Sequence, residues 1–202
     1  AGSAYQGVLE EFVAGSPLAA EPLVDVALRL LQLLVHSQRV AQAEFGALLC
    51  GVGWSADIDE ADARARIEAG LREMLPPEAS LERLQRGVSR LCADPALRLK
   101  APQLAAHLGA LLETARRAPR RQPPSAWGKA FGEWLAALGW PGQRALLTAE
   151  RAVCEQLREG LGGLLALDAV MGRIDGGEAL RQLQRHCRDH AFDPPRQTVA
   201  RI

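Results

Sequence analysis

The stretch that decides the fold is PLVDVALRLLQLLVH, residues 22–36. Its apolar side chains fall on nearly every face of a helix, and only Asp25, Arg29 and Gln32 interrupt them. A surface helix keeps one polar face, so a helix that is apolar all round belongs in a protein interior. The interrupted run is also shorter than the ~18 to 20 apolar residues of a membrane span. We therefore expect this helix at the centre of a bundle.

The residues that follow predict further helices with one apolar face each. Asp57 and Glu60 have the spacing of a capping box, in which side chains bind the free N–H groups at the start of a helix. The helix after them is expected to stop at Pro76-Pro77, because proline cannot continue it. A single stripe at helical spacing marks its buried face: Ala63, Ile67, Leu71 and Met74.

The rest of the chain also predicts helices rather than strands. Leu, Ala and Arg dominate the composition and aromatic residues make up 4%, a mixture that favours helices. An alternating strand pattern occurs only at Thr198 to Ile202, in a tail expected to be extended from Phe192. The expected fold is all-α, an irregular bundle of about seven to eight helices. The further predicted helices cover 42–50, 80–92, 102–117, the region of Trp127 to Leu138, a long helix from about Thr148, and a last helix capped by Asp175 and Glu178 that runs to about His190.

The segment with Pro119, Pro123 and Pro124 is the best candidate for a boundary. It predicts an N-terminal helical lobe at 1–118, a proline and arginine linker at 119–124, and a C-terminal helical lobe with an extended tail at 125–202. The start, Ala1-Gly2-Ser3, lacks an initiator Met and a basic signal-peptide region. We expect it to be an expression scar on an excised fragment.

Charge and cysteine usage exclude several classes of protein. The formal net charge is +0, so any nucleic-acid or membrane contact requires a local basic patch rather than a global field. The four cysteines lie far apart without a C-x-x-C pair, which predicts reduced thiols and a cytoplasmic protein. They are Cys50, Cys92, Cys154 and Cys187.

One dense basic cluster stands out beside the proline segment, without neighbouring acids: Arg116, Arg117, Arg120 and Arg121. Guanidinium groups pair with phosphate through two hydrogen bonds, so this cluster is the best candidate for contact with a DNA backbone. Arg144 is a weaker candidate. The alternative interpretation is a solvated loop.

Three other patterns have structural interpretations that we favour. His186 and His190 have a spacing able to chelate zinc, but no second ligand pair is nearby in sequence, so we expect a solvated face and no cofactor. Glu159 to Gly163 resembles a phosphate loop in composition, yet its glycines interrupt a helical stripe and predict a close helix crossing or a kink. Trp127, Trp134 and Trp140 could stack on bases, but Trp127 and Trp134 share their face with Phe131 and Leu138, which predicts core packing.

The sequence contains no recognisable catalytic centre. A PD-(D/E)XK nuclease needs an acid two residues before a lysine, so that acids hold a metal while the lysine contacts the phosphate. Arg98 precedes Lys100 and Trp127 precedes Lys129, so both lysines fail this test. No G-x-S-x-G motif of an esterase is present either. We expect a non-enzymatic chain.

A distinctive run carries a resemblance to a known family. It reads WxxxFxxWL from Trp127 and LGWPGxR from Leu138 to Arg144, followed by LTxE at 147–150, LLxLDxVxG at 164–172, Ala179-Leu180 and Phe192-x-Pro194. This run resembles bacterial probable DNA-repair proteins of the PD-(D/E)XK nuclease superfamily, which are similar to the helicase-like nuclease subunit of double-strand-break processing complexes. Residues 22–24, 63–67 and 71–72 resemble the preceding helical region of the same proteins.

The resemblance implies an internal helical insertion of a helicase-like domain. Ala200-Arg201-Ile202 would lead into a strand of that domain, and the nuclease motif would lie further downstream. The implied function is a non-catalytic accessory domain that acts as a scaffold and contacts DNA, the rest of the parent chain or a helicase-type partner subunit, but no membrane. The alternative is a protein–protein interaction bundle without a DNA role, which a large exposed apolar patch would favour.

Overall fold

The computed structural model describes residues 16–192, and the prediction of an all-α multi-helix bundle is confirmed. The first half contains β1 (Ser16–Pro17), a 3₁₀ turn (Leu18–Ala20), α1 (Pro22–Val35), β2 (Val40–Ala41), α2 (Gln42–Cys50), α3 (Ala61–Met74), β3 (Glu78–Ala79), α4 (Leu81–Ala93) and α5 (Pro102–Arg117). The second half contains α6 (Pro124–Ala137), α7 (Thr148–Gly163), a 3₁₀ turn (Leu164–Leu167), α8 (Asp168–Met171), α9 (Gly176–Asp189) and β4 (Ala191–Phe192).

Helix α1 lies at the centre, as its sequence predicts. It packs against α2, α5, α6, α7 and α9. Asp25 and Arg29, two of its three interruptions, form an exposed ion pair at 2.9 Å. Burial of apolar side chains on so many sides of one helix is what draws both halves of the chain together. The buried positions of α1 are Leu23, Val24, Ala27, Leu28, Leu30, Leu31, Leu33 and Leu34.

Two small antiparallel pairs fasten the ends of helices. Strand β1 pairs with β4 through Ser16 opposite Phe192, and β2 pairs with β3 through Val40 opposite Ala79. The predicted strand at Thr198 to Ile202 and the tail beyond Phe192 lie outside the described residues.

The segment between α5 and α6 interrupts the helices but not the core. No helix is present from 118 to 123, and Pro124 occupies the first turn of α6, where its missing N–H is not needed. The buried apolar residues on both sides of this segment belong to one continuous cluster. The two predicted lobes therefore share a hydrophobic core.

The predicted capping box before α3 does not form. Glu60 is the N-cap residue of α3, but its side chain makes no bond to that helix. Instead its two carboxylate oxygens accept hydrogen bonds from the backbone N–H groups of Gln103 and Leu104, at 2.8 and 3.0 Å. The carboxylate satisfies free N–H groups, as predicted, but those of α5 rather than of α3.

The loop between α2 and α3 is held in place by hydrogen bonds of Asp57, one within the loop and one to the turn at 138–143. The Asp57 carboxylate accepts from the N–H of Gly53 at 2.7 Å and from that of Gln143 at 3.3 Å. Gly142 has φ of +99°, and a Cβ there would stand 2.9 Å from Asp57 Oδ2. The turn at 138–143 therefore holds residues 53–57 in place.

The predicted apolar stripe of α3 and the predicted long helix from Thr148 are both shorter than expected. Ala63, Ile67 and Leu71 are buried, but Met74 at the end of α3 is 39% exposed. Leu165 and Val170 are 64% and 84% exposed, because a 3₁₀ turn replaces the long helix from Leu164. A 3₁₀ turn has three residues per turn instead of 3.6, so it moves the following side chains off the buried face.

Candidate nucleic-acid interface

The predicted basic cluster lies where α5 ends and the segment 118–123 begins. Arg116 and Arg117 are the last two residues of α5, and Arg120 and Arg121 lie in the segment itself. All four are exposed to solvent. Pro119 and Pro123 keep this segment out of helical conformation, so the four side chains are presented from an irregular backbone.

The expectation that no acids neighbour the cluster is wrong. Arg116 forms ion pairs with Glu82 at 3.0 Å and with Glu113 at 3.2 Å, and Arg117 pairs with Glu113 at 3.3 Å. Glu113 lies one helical turn earlier on α5, whereas Glu82 arrives because α4 packs against α5. The hydrogen bond with Glu82 is the main cause of the raised pKa of Arg116.

A fifth arginine joins the cluster through the fold. The guanidinium of Arg121 donates to the carbonyl oxygen of Arg173 at 2.8 Å, and Arg173 donates back to that of Arg121 at 2.7 Å. A β-bridge between Gln122 and Ile174 holds the two segments together. We call Arg116, Arg117, Arg120, Arg121 and Arg173 the connection surface. No sequence motif predicts that Arg173 joins this cluster, because its position depends on backbone pairing with a segment 52 residues away.

A groove of about 560 Å³ opens beside the connection surface. Arg116 and Arg120 form one side of it, and the first turn of α9 with Arg181 forms another. His36 reaches the same groove from the end of α1. The carboxylates of Glu82 and Asp175 also line it, so its charge is mixed rather than uniformly positive.

The tryptophans are core residues, as predicted, and not a base-stacking platform. Trp127 and Trp134 are each 4% exposed and Trp140 is 8% exposed. The indole N–H of Trp127 donates to the carbonyl of Ile174 at 2.9 Å, and that of Trp140 to the carbonyl of Leu23 at 2.8 Å. Their ring faces are therefore not available to a nucleobase.

Arg144 lies apart from the other predicted contacts. It forms a two-pronged ion pair with Glu150, with Nη1 2.7 Å from Oε2. Together these two side chains edge an apolar groove of about 170 Å³ that includes Leu23, Val26 and Val52. The structure thus brings Arg173, and not Arg144, to the arginines at the end of α5.

In the part of the chain that the structure describes, no further ligand lies beside the histidine pair. The rings of His186 and His190 stand 3.9 Å apart between centroids, and burial together with His190 lowers the pKa of His186. Cys187, between them in sequence, faces the core, and burial raises the pKa of its thiol to about 11. Across residues 16–192, no group of three or more His, Cys, Asp or Glu side chains is placed to hold a metal ion.

A serine and a histidine that the sequence does not single out do meet. The hydroxyl of Ser55 lies 3.0 Å from Nδ1 of His107. Ser55 is 3% exposed, and in the described part of the chain no carboxylate is hydrogen-bonded to His107. A nucleophilic serine needs an accessible hydroxyl and an oriented base, so this pair is better explained as a packing contact of the loop before α3.

The glycines of α7 support a close helix crossing. A Cβ on Gly160 would stand 2.8 Å from the ring of His186 on α9, and one on Gly128 of α6 only 2.2 Å from the carbonyl oxygen of Leu161. Gly162 and Gly163, in contrast, face open space. Residues 159–163 complete a helix rather than a phosphate loop.

All four cysteines are free thiols, in agreement with the sequence. Within residues 16–192, every helix is too short or too polar to span a bilayer.

Comparisons with protein-family models, with curated proteins and with solved structures found no match to this chain. The family that the residues resemble therefore stays a prediction.

Proposed function

We propose that this chain is a non-catalytic helical domain of a DNA-repair nuclease or helicase-like protein, and that its connection surface contacts the phosphate backbone of DNA. The buried central helix suits a scaffold, because the rest of the bundle is organised around it. The sequence lacks the acid and lysine pair of the nuclease motif, which supports a non-catalytic role for this part of the parent protein.

The observation that carries the proposal is the local excess of positive charge on a chain of zero net charge. The connection surface holds five arginines, and within ion-pair distance of them lie two carboxylates, Glu82 and Glu113, in the described part of the chain. Such a patch attracts a polyanion even when the whole protein does not.

The ion pairs at this surface do not prevent phosphate binding. The side chain of Arg116 is 52% exposed and those of its partners Glu82 and Glu113 are 50% and 55% exposed. Exposed pairs of this kind are weak, because water and salt screen them. A phosphate that offers two oxygens to a guanidinium can replace a carboxylate partner and release counterions from DNA.

The resemblance described above favours DNA over other polyanions. It also implies a protein that works with the remainder of its parent chain and with a helicase-type partner subunit, while the scattered cysteines support a cytoplasmic location. The predicted role is to position DNA for a catalytic centre elsewhere in the parent protein.

The test is fluorescence anisotropy of labelled duplex and single-stranded DNA, titrated with the protein at several salt concentrations. We expect binding that weakens steeply with salt. The variant R116Q/R117Q/R120Q should lose up to about 3 units of the slope of log K against log salt, close to one unit for each phosphate contact removed. Arg121 is left intact because it holds the backbone at Arg173.

The matched control is R151Q/R185Q/R188Q, which removes the same charge from exposed arginines on α7 and α9. Equal losses in both variants would indicate a general charge effect and contradict a specific surface. An absence of binding by the wild-type chain at low salt would overturn the proposed function.

The second candidate function is a protein–protein interaction bundle. It is favoured by exposed apolar side chains at the groove of Arg144 and Glu150, where Val52 is 61% and the neighbouring Leu147 is 67% exposed. Co-expression of the parent protein's remaining domains with wild-type or V52D/L147D chain tests it. Co-purification that the double variant abolishes, without any DNA binding by the wild type, would establish this alternative.

A further inference from the structure

A second set of arginines lies on helix α4, away from the cluster that the sequence makes conspicuous. Arg83, Arg86 and Arg90 are all exposed and follow one another at intervals of three and four residues. With 3.6 residues per turn, their side chains leave the helix within about 60° of each other. We call these three residues the arginine row.

Among residues 16–192, the arginine row has no acidic partner. In the described residues no carboxylate lies within 4.0 Å of any of the three guanidinium groups, whereas Arg116 and Arg117 of the connection surface are both paired. Like charges three or four residues apart destabilise a helix slightly. The guanidinium groups of the row therefore keep their hydrogen-bond donors free. Over the same described residues, no carboxylate within ion-pair distance offsets their mutual repulsion.

A shallow groove of about 460 Å³ runs beside the row, between α3 and α4. Its floor includes Met74, 39% exposed, and Leu75. Gly87 allows the two helices to approach, since a Cβ there would stand 2.6 Å from the side chain of Leu71. The groove thus combines three free cations along one wall with an accessible apolar floor.

We propose that the arginine row is a second phosphate-contacting surface, which binds the backbone of a nucleic-acid strand with its sugars against Met74. This inference extends the proposed function to a separate surface and rests on that function. From Arg83 to Arg90 the helix rises by about 10 Å at 1.5 Å per residue. One DNA strand advances about 3.4 Å per phosphate, so the row matches roughly three phosphate steps.

The row adjoins the connection surface. Glu82 directly precedes Arg83 and pairs with Arg116 at 3.0 Å, so the start of α4 is where the two surfaces meet. A nucleic-acid strand that runs along α4 towards the first turn of that helix reaches the end of α5. Both surfaces then contact one continuous backbone.

The test compares R83Q/R86Q/R90Q with the charge-matched control R151Q/R185Q/R188Q in the same anisotropy titration. We expect the row variant to lose about 2 to 3 units of salt slope and the control to stay near the wild-type slope. The variant R83K/R86K/R90K keeps the charges and should retain most of the slope. A folding defect is excluded if each variant unfolds at the same temperature as the wild type.

The outcomes separate the two proposals. A row variant that binds like the control overturns the arginine row, while loss of slope in R116Q/R117Q/R120Q alone leaves the connection surface standing. Loss in the row variant alone supports the row and contradicts the connection surface. Wild-type protein that does not bind DNA overturns both. Polyglutamate is a polyanion without phosphate. If it displaces DNA from the protein at the same charge concentration as the DNA, the assignment of the row to phosphate is overturned.

Discussion

The carboxylate of Glu60, at the start of α3, caps the first turn of α5 by accepting the N–H of Leu104 at 3.0 Å. These residues are 44 positions apart, and Glu60 is 5% exposed. The cap joins two helices that are separated in the chain by α4. We expect Glu60→Ala to lower the free energy of unfolding by about 1 to 3 kcal/mol, because two backbone donors lose their acceptor.

Urea unfolding measures this loss, and Glu73→Ala on the exposed side of α3 is the control. Glu60→Gln keeps one acceptor oxygen and should lose less. Equal stabilities of the Ala variant and wild type would show that water replaces the carboxylate.

Arg64 is the second interior polar group on which stability depends. It is 1% exposed, and its guanidinium donates to the carbonyls of Leu49 at 2.7 Å and Trp54 at 3.1 Å. Burial lowers the pKa of Arg64, although Asp57 and Glu60 act in the opposite direction. Arg64→Ala should cost about 3 kcal/mol or more, because buried backbone carbonyls lose their donor and the buried Asp57 and Glu60 lose a nearby positive charge.

Arg29→Ala is the comparison for Arg64, since Arg29 is 52% exposed and pairs on the surface. The free energy of unfolding that Arg29→Ala loses should stay within about 0.5 kcal/mol. Arg64→Lys should fall between the two, because an ammonium cannot reach all the acceptors of a guanidinium fork. Similar unfolding midpoints for Arg64→Ala and Arg29→Ala would contradict this prediction.

Two helical glycines should respond to alanine in opposite directions. At Gly128 a Cβ would stand 2.2 Å from the backbone oxygen of Leu161, so Gly128→Ala must push α6 and α7 apart and should destabilise by about 1 to 3 kcal/mol. At Gly109 on α5 nothing lies within 4 Å. Gly109→Ala should stabilise by about 0.5 to 1 kcal/mol through helix propensity. Thermal melts of the two variants measure these changes. Shifts of the melting temperature in the same direction would contradict the close crossing of α6 and α7.

The ion pair of Glu150 predicts a pH dependence. The hydrogen bond from Arg144, with a second one from the N–H of Leu147, lowers the pKa of Glu150 from 4.5 to about 2. A depressed carboxyl pKa adds stability that is complete above the unfolded value and is lost as pH falls through the folded value. The stability difference between wild type and Glu150→Gln should therefore be constant above about pH 5 and shrink between pH 4.5 and 2.

Urea unfolding at a series of pH values measures this difference. Glu155→Gln, an exposed residue on the same helix, should show little change over that range. A Glu150 difference that persists unchanged at pH 2 would contradict the assigned ion pair.

Removal of Glu82 should strengthen DNA binding. Glu82 neutralises Arg116 and stands next to Arg83, so it opposes a phosphate at both proposed surfaces. We expect Glu82→Gln to raise affinity at low salt and to steepen the salt slope, because one repulsive charge is lost and one guanidinium is released. Glu133→Gln on α6 is a control of equal charge change. Weaker binding by Glu82→Gln would contradict both proposed surfaces.

Local patterns in the sequence predict the helices well, for a physical reason. Residues at intervals of three and four share a helix face, so the apolar run of α1 and the proline at the start of α5 contain enough information to place those helices. The N-cap role of Asp175 is likewise a contact within four residues, and its carboxylate accepts from the N–H of Glu178 as predicted. Trp127 and Trp134 were predictable as core residues because they repeat with the period of their own helix, α6.

Contacts between distant residues decided part of the charge distribution, and no local pattern contains those contacts. The pairing of Glu82 with Arg116 requires α4 to pack on α5, and Arg173 reaches Arg121 through a bridge across 52 residues. Glu60 has the local signature of a cap for α3 and yet caps α5, because the fold brings the first turn of α5 within hydrogen-bond distance of its carboxylate. The sequence alone determined which segments are helices and which faces are apolar. Tertiary packing determined the partners that are distant in the sequence, such as Glu82 for Arg116, since these are set by distance in space.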